Sequence, residues 1–460
     1  MIFAIHINAL NYRAAIRQPY SSITAEVILM KNKKLICLIL AFLLILMTSC
    51  SSGGREQPNV TQSPEEDIDY SGVVLTVQDT LAGNDFVTGL GELNYQVITQ
   101  ETGIRFRSKC YLPDEIILKM LAGDDDIDIY FISNSQLHNV IDCGFYTIIE
   151  SEIIDNYISQ CRDILQEYST VDGKTAFMPV GTNTAAILIP KSAIEETGVT
   201  AEDIEYLDDF LAFVRNYDGD RIAYTNSSSI FDYFESQYEM FYCDYENKEA
   251  NFETPLYMHI YEEIWGGWQD SDGKIGATLG FEHNLSGDYS NNSEHALCTF
   301  GYYSNAENFT DERLNSDPDV YKTAGSTDFF EKWRAFPIPK ISEDVTCNAD
   351  GGSYAIINPY SKNKEAALKV LELLASDYFK YSGNAFSGFV YEDKAMYPES
   401  YHPDSEIFND FLNIINSNNK IAYYTFSVQR LDIDDYQAGK LTLEEAVAEY
   451  QRQVDIWLNE

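Results

Sequence analysis

The first strong pattern in the 460-residue chain is an unbroken apolar run over residues 35–47, too short to span a membrane and preceded by Lys31, Lys33 and Lys34. Beyond it the hydrophobic positions change period. Val73, Val74, Leu75, Thr76 and Val77 form a β-branched run that reads as a strand, and a helical stretch over 86–102 stops at Gly103. A second strand at 104–106, a helix over 113–122 closed by Gly123, and a third strand at 127–132 follow. Strands alternating with helices of roughly 10 to 15 residues predict a mostly parallel sheet covered on both faces. The pattern then begins a second lobe after Asp172, Gly173 and Lys174, with strands at 175–178 and 185–189. Helices follow around 192–197 and 206–216, the first closed by Gly198 and the second by Asp218-Gly219. Residues 231–268 hold twelve aromatic side chains, most of which belong in a core on this reading. A strand at 355–357, an amphipathic helix over 364–375 and a final one over 443–458, entered through Thr442 and Glu445 as a capping box, complete the outline.

The apolar run ends in Met47-Thr48-Ser49-Cys50, followed by Ser51, Ser52, Gly53 and Gly54. It resembles the signal peptide and lipobox of a bacterial lipoprotein, which is cut before a cysteine that then carries the lipid, palmitate included. On this resemblance residues 30–49 are the signal, Cys50 is the lipid attachment site, and residues 1–29 are an upstream extension preceding Met30. Met47 stands where leucine is commonest, which keeps the apolar requirement. A cleaved secretion signal without lipid is the plainer alternative. Residues 50–71 are Ser, Gly, Pro, Glu and Asp with almost nothing apolar, the composition of a flexible tether.

Removing residues 1–49 leaves 26 Lys+Arg against 72 Asp+Glu, a net charge near −46. Such a surface repels phosphate backbones, so nucleic-acid binding is excluded, as is adhesion to anionic lipid through a basic patch. An acyl chain is then the means of membrane attachment. About 410 residues, from a chain that is 45% apolar overall, exceed what one domain usually needs, and two lobes are expected. Cys110, Cys143, Cys161, Cys243, Cys298 and Cys347 show no spacing that suits zinc and read as partly buried free thiols, with three disulfides as the alternative.

Several short motifs invite chemistry and lose it on inspection. Asp124, Asp126 and Asp128 occupy the first, third and fifth places of a calcium loop, but Ile129 stands where glycine is needed and Ser135 where glutamate is needed. Gly351-Gly352-Ser353-Tyr354-Ala355 approaches a hydrolase elbow, yet the serine precedes a strand instead of a helix. Gly89-Leu90-Gly91 lacks the third glycine of a dinucleotide fingerprint. His138, His259, His283, His295 and His402 include no pair four apart, so neither a metal nor a cofactor is expected.

The order of other motifs is more telling. Thr102-Gly103-Ile104, Leu121-Ala122-Gly123-Asp124, Ile127-Asp128-Ile129-Tyr130, Gly144 to Ile148 as "GFYTI", and Asp172-Gly173-Lys174 with Pro179 come first. The stretch "ALCTFGYY" ending at Tyr303, "WRAFPIP" over 333–339, Gly351-Gly352, Asn363 to Leu374 and "GKLTLEEAVAEYQRQVDIWLNE" over 439–460 then follow. In this order, over residues 72–460, the chain resembles the extracellular solute-binding proteins of ABC importers, in the maltose-binding-like branch of sugar receptors.

The resemblance implies an α/β, two-lobed, periplasmic-binding-protein-like fold of type II, its hinge crossed about three times. Lobe 1 is then 72–180 plus 350–388, and lobe 2 is 181–349 plus 389–460. It further implies a monomer without cofactor that binds a small solute, a sugar or oligosaccharide first, and hands it to the transmembrane permease subunits on the extracytoplasmic face.

In doubly wound lobes ligands meet the C-terminal ends of strands. This points to Asp79 and Thr80, to Ser133 and Asn134, and to Thr182 and Asn183. Tyr302 and Tyr303 follow the strand where the family often sets an aromatic against its ligand, and Trp265 and Trp268 flank Gly266-Gly267 as possible platforms. For each polar residue a turn or cap role competes, and for each aromatic, core packing. Two other classes stay open: a surface glycoside hydrolase or esterase needing two carboxylates about 5 to 10 Å apart, and a sensor or adhesion protein that keeps the fold without transport.

Overall fold

A computed structural model describes residues 59–61, 69–78, 93–109, 111, 113–182, 184–224, 227–244, 247–263, 268–269, 275–276, 293–294, 296–303, 327–345, 352–382, 389–417, 435–436 and 439–459. Residues 1–58, and with them the signal and Cys50, lie outside this set.

Nine strands build two sheets. In chain order they are β1 Val74–Gln78, β2 Arg105–Lys109, β3 Ile129–Ser133, β4 Met178–Thr182, β5 Ala185–Pro190, β6 Ile222–Tyr224, β7 Ala296–Tyr302, β8 Trp333–Phe336 and β9 Gly352–Ile357. The first sheet has the order β2-β1-β3-β9-β4 and the second β6-β7-β5-β8. β1 runs parallel to β2 and β3, while β9 runs against both β3 and β4. In the second sheet β6 and β7 are parallel, and β5 runs against β7 and β8. One reversed strand in each otherwise co-directed sheet gives the two-lobed α/β architecture expected above, with three parallel and four antiparallel pairings.

Pairing corrects one boundary read from the residue pattern. The strand read at 175–178 as the second lobe's first instead begins at Met178, runs to Thr182 and is the outer strand of the first sheet, which the chain leaves only after Thr182. The carbonyls along it are met by tyrosine hydroxyls: Tyr157 donates to Pro179 O at 2.8 Å and Tyr378 donates to Val180 O.

Local signals explain the helices. The Tyr95–Thr102 helix ends at Gly103, whose φ of 78° is the left-handed conformation that glycine takes without a Cβ clash. Leu443–Asn459 starts with the capping box read from sequence, Thr442 N–H donating to Glu445 at 2.9 Å and Glu445 N–H donating to Thr442 Oγ1 at 3.2 Å.

Alternate residues of β5 face different cores. Ala185, Ile187 and Ile189 join one buried cluster with the Leu207–Asn216, Pro255–Tyr261 and Leu443–Asn459 helices, and Ala186 and Leu188 join a larger one that continues through the first sheet. The Glu406–Ser417 helix ties the lobes from both sides. Arg334 of β8 grips Asp410 at 2.6 and 2.8 Å, and Arg162 from the first lobe donates to Ile415 O at 2.7 Å and Asn416 Oδ1 at 3.3 Å. Burial pulls the Arg162 guanidinium down to about 10, and the carbonyl end of the helix accommodates its charge.

Candidate functional site

Registers place the strand ends. β4 runs toward the crossover and stops at Thr182; after two intervening residues β5 begins at Ala185. Gly352, at the start of β9, pairs with Thr182, and Ser353 pairs with Ser133, so β3 finishes beside β4. On the other side Tyr302, the last residue of β7, pairs with Ala185, and Phe336, the last of β8, pairs with Ile187. The C-terminal ends of β3, β4, β7 and β8 therefore converge on the short crossover at 183–184, from both sheets. This is the topological position at which α/β sheets take ligands.

Gly352 is required at this junction. A Cβ there would lie 2.8 Å from Leu165 Cδ2 and 3.2 Å from the Gly181 carbonyl, so the close approach of β9 to β4 depends on its absence.

The residues named from sequence distribute unevenly around the junction. Ser133 ends β3 and Asn134 opens the Asn134–Asp142 helix, so their backbone lies at the converging ends. Thr182 is buried and spends its hydroxyl locally, donating to Phe389 O at 3.0 Å and accepting from Phe389 N–H at 3.1 Å. Tyr302 is half-buried, and its hydroxyl accepts from Tyr233 at 3.0 Å. Its neighbour Tyr303 points into the larger core, with its ring among Phe329, Phe330, Phe389, Tyr401, Phe408 and Phe411 and its hydroxyl donating to Tyr401 O. Burial raises the Tyr303 phenol well above its ordinary range. Trp268 pairs through its backbone with Gly276 in a two-stranded ribbon. Asp79, Thr80, Asn183 and Trp265 lie outside the described residues.

Two aromatics that sequence reasoning left in the general core stand beside Tyr302. Tyr233, from the Ser227–Tyr242 helix, sits 5.2 Å from Phe300 and 6.5 Å from Tyr302, and Phe300 packs edge-on to Tyr302 at 5.6 Å. Phe300 and Tyr302 are two apart on β7 and so share a face. Phe300 and Tyr302 are partly exposed at the end of β7, with the buried Tyr233 behind them, and an aromatic face there is chemically suited to the apolar face of a sugar ring. The last residues of the converging strands, Ser133, Thr182, Tyr302 and Phe336, carry no carboxylate.

Acidic chemistry lies elsewhere. Ligand oxygens of Asp124, Asp125 and Asp126 fall within 4.8 Å of one another, just before β3 and away from the converging ends. Each has its own lysine: Lys119 to Asp124 at 2.7 Å, Lys362 to Asp125 at 2.6 Å and Lys109 to Asp126 at 3.0 Å. Lys119 and Lys362 hold Asp124 and Asp125 below the usual carboxylate range. Of the cysteines, Cys161 and Cys298 are buried thiols pushed up to about 12 by desolvation, which leaves little thiolate for redox or metal chemistry.

Two surface cavities, about 490 Å³ by Glu150, Asp155 and Lys174 and about 540 Å³ by Asn156, Gln160 and Tyr391, are lined by none of the residues that end the converging strands. Strand topology, which gathers four strand ends at one place, is the stronger guide to the site. No helix among the described residues is long and apolar enough to cross a membrane.

Residues 111–377 match the family model of bacterial extracellular solute-binding proteins. No curated protein matches the chain. Among solved structures, the sugar-binding protein MalE of the phytopathogen Xanthomonas citri aligns with a TM-score of 0.57 at 16% identity, covering 84% of this chain and 98% of that one. The galacto-N-biose/lacto-N-biose I-binding protein of an ABC transporter from Bifidobacterium longum, in complex with lacto-N-biose, aligns with a TM-score of 0.56 at 15% identity, covering 83% and 96%. A solute-binding protein of an ABC transporter from Thermotoga lettingae, bound with α-D-tagatose, gives 0.55 at 15%, covering 84% and 100%. At these identities the likeness is one of fold.

Proposed function

Because the chain belongs to the bacterial extracellular solute-binding proteins, we propose that it is a lipid-anchored receptor that captures a carbohydrate between its lobes and delivers it to an ABC permease. The observation that carries this reading is the convergence of strand ends from both sheets beside the half-buried Tyr302. A ligand held there touches both lobes, so its binding energy favours the closed arrangement, and closure is the change a permease reads. Tyr302 supplies a stacking face, with Tyr233 fixing its hydroxyl, and Asp79, Thr80, Ser133, Asn134 and Asn183 supply polar groups for sugar hydroxyls. Trp265 and Trp268 are further platforms. With the first crossing moved to follow Thr182, lobe 1 comprises 72–182 plus 350–388 and lobe 2 comprises 183–349 plus 389–460, and the protein acts as a monomer on the extracytoplasmic face.

Thermal unfolding of the mature chain across a panel of mono- and disaccharides, with amino acids and peptides as controls, tests the capture. A sugar at a hundredfold its dissociation constant is expected to stabilise the fold by about 2.7 kcal/mol. A panel in which only amino acids or peptides raise the midpoint would reject the carbohydrate assignment, and cleavage of any glycoside would favour the hydrolase reading instead. For the anchor, Cys50→Ala is expected to move the protein from the membrane to the soluble fraction while ligand affinity stays unchanged. Retention of the alanine variant in membranes would overturn the assignment of Cys50.

A further inference from the structure

Inside the segment read as a tether, Asn59–Thr61 runs parallel to Ile148–Glu150, with Asn59 opposite Ile148 and Thr61 opposite Glu150. Among the described residues, that extended stretch has no other ladder partner, although Ile148 and Ile149 are buried. It continues into the Glu152–Gln160 helix through Ser151, whose hydroxyl donates to the buried Glu372 at 2.7 Å. The docking edge is therefore fastened to the Lys364–Ser376 helix and is a built part of the first lobe. We infer that residues 59–61 are a clip, by which the N-terminal segment adds a strand to its own first lobe and so sets the number of residues between Cys50 and the point where the lobe holds the chain. Main-chain pairing along a strand edge is the chemistry of β-augmentation, here within one chain.

The consequence for reach rests on the reading of Cys50 as the anchor. With the clip closed, nine residue steps separate Cys50 from Asn59, an extended limit of about 30 Å. With it open, the count runs to Asp69, nineteen steps on, and the limit becomes about 65 Å. Three paired residues are too few to be stable by themselves, so the clip opens without unfolding the lobe that carries it. The receptor thus has a short and a long leash within one sequence.

The test is a double substitution, Val60→Pro with Thr61→Pro, in the mature chain. In a parallel pair alternate residues donate to the neighbour, so one of two adjacent prolines removes a ladder donor whichever phase holds. Hydrogen exchange of the unsubstituted protein is expected to show residues 59–61 protected relative to 51–56. In the double variant, exchange at 148–150 is expected to rise about tenfold with the rest of the lobe unchanged. Unprotected amides at 59–61, or identical exchange at 148–150 in both proteins, would overturn the clip. On lipid vesicles, energy transfer between a dye on the first lobe and a lipid-phase acceptor is expected to fall in the double variant, and an unchanged signal would overturn the reach argument. A chain that fails to bind vesicles at all tells against the anchor, while the exchange result decides the clip independently.

Discussion

Asp128→Ala is expected to destabilise the folded chain by about 3 kcal/mol, read as a lower urea midpoint at unchanged slope. Asp128 is only 4% exposed, and three groups depend on it. Its Oδ2 accepts Thr76 N–H at 2.7 Å, and its Oδ1 accepts the Ser361 hydroxyl at 2.5 Å and Asn363 Nδ2 at 3.2 Å. The backbone adds a bond from Asp128 N–H to Thr76 O at 2.7 Å and one from Asn358 N–H to Asp128 O at 3.0 Å. One carboxylate thereby joins β1, the start of β3 and the turn after β9. Alanine strands two buried donors, the Thr76 N–H and the Ser361 hydroxyl, each costing about 1 to 3 kcal/mol before relaxation, and the half-buried Asn363 amide, which water reaches more easily. Asp128→Asn is expected to lose nearly as much, because its amide turns a donor toward either Thr76 N–H or the Ser361 and Asn363 pair. Since Asp128 lies at the opposite end of β3 from Ser133, affinity of the folded variant should be unchanged. A shift below about 1 kcal/mol would show that water replaces the carboxylate.

The second large effect separates two adjacent tyrosines. Tyr303→Ala should cost about 3 to 5 kcal/mol of stability, the usual range for emptying a buried aromatic site. The ring is 3% exposed, with Phe389 at 4.8 Å and Phe411 at 5.4 Å between centroids. Tyr303→Phe keeps the ring and leaves the Tyr401 carbonyl without its donor, so about 1 to 2 kcal/mol is expected. For Tyr302→Ala the signs reverse: little loss in the urea midpoint and about a tenfold loss of affinity for whichever sugar stabilises the parent. Equal affinity in parent and Tyr302→Ala would remove Tyr302 from the binding face, and a large affinity loss in folded Tyr303→Phe would place Tyr303 there instead.

That contrast also marks how far the site was legible. The motif order identified the end of β7, but two consecutive tyrosines at a strand end point to opposite faces, and nothing in "FGYY" says which of the two cores each ring meets. Tyr233 lies among twelve aromatics between residues 231 and 268, where only its hydroxyl bond to Tyr302 and its ring contact with Phe300 single it out. Thr182 looked like a ligand contact because it ends a strand, and the residue that occupies its hydroxyl, Phe389, is distant in sequence.

The fold was more readable. Runs at 73–77, 127–132 and 185–189 correspond to β1, β3 and β5, and the capping box at Thr442 starts the last helix where expected. Partner choice was not readable, since a period of two says that a segment is a strand and says nothing about its neighbours. This is why a strand read at 175–178 goes with the second lobe on the residue pattern, while pairing gives Met178–Thr182 to the first sheet.

The position of β9 has a consequence for the order in which the chain takes shape. It lies between β3 and β4, yet all of the second sheet is synthesised before it. Until residue 357 emerges, β3 and β4 have no strand between them, and the first sheet stays in two pieces. Closure of the first lobe is thus a late, nonlocal event, of the kind that folds slowly. A nascent chain that cannot complete its earliest sheet stays open for most of its synthesis, the form in which a polypeptide can still be threaded through a membrane pore.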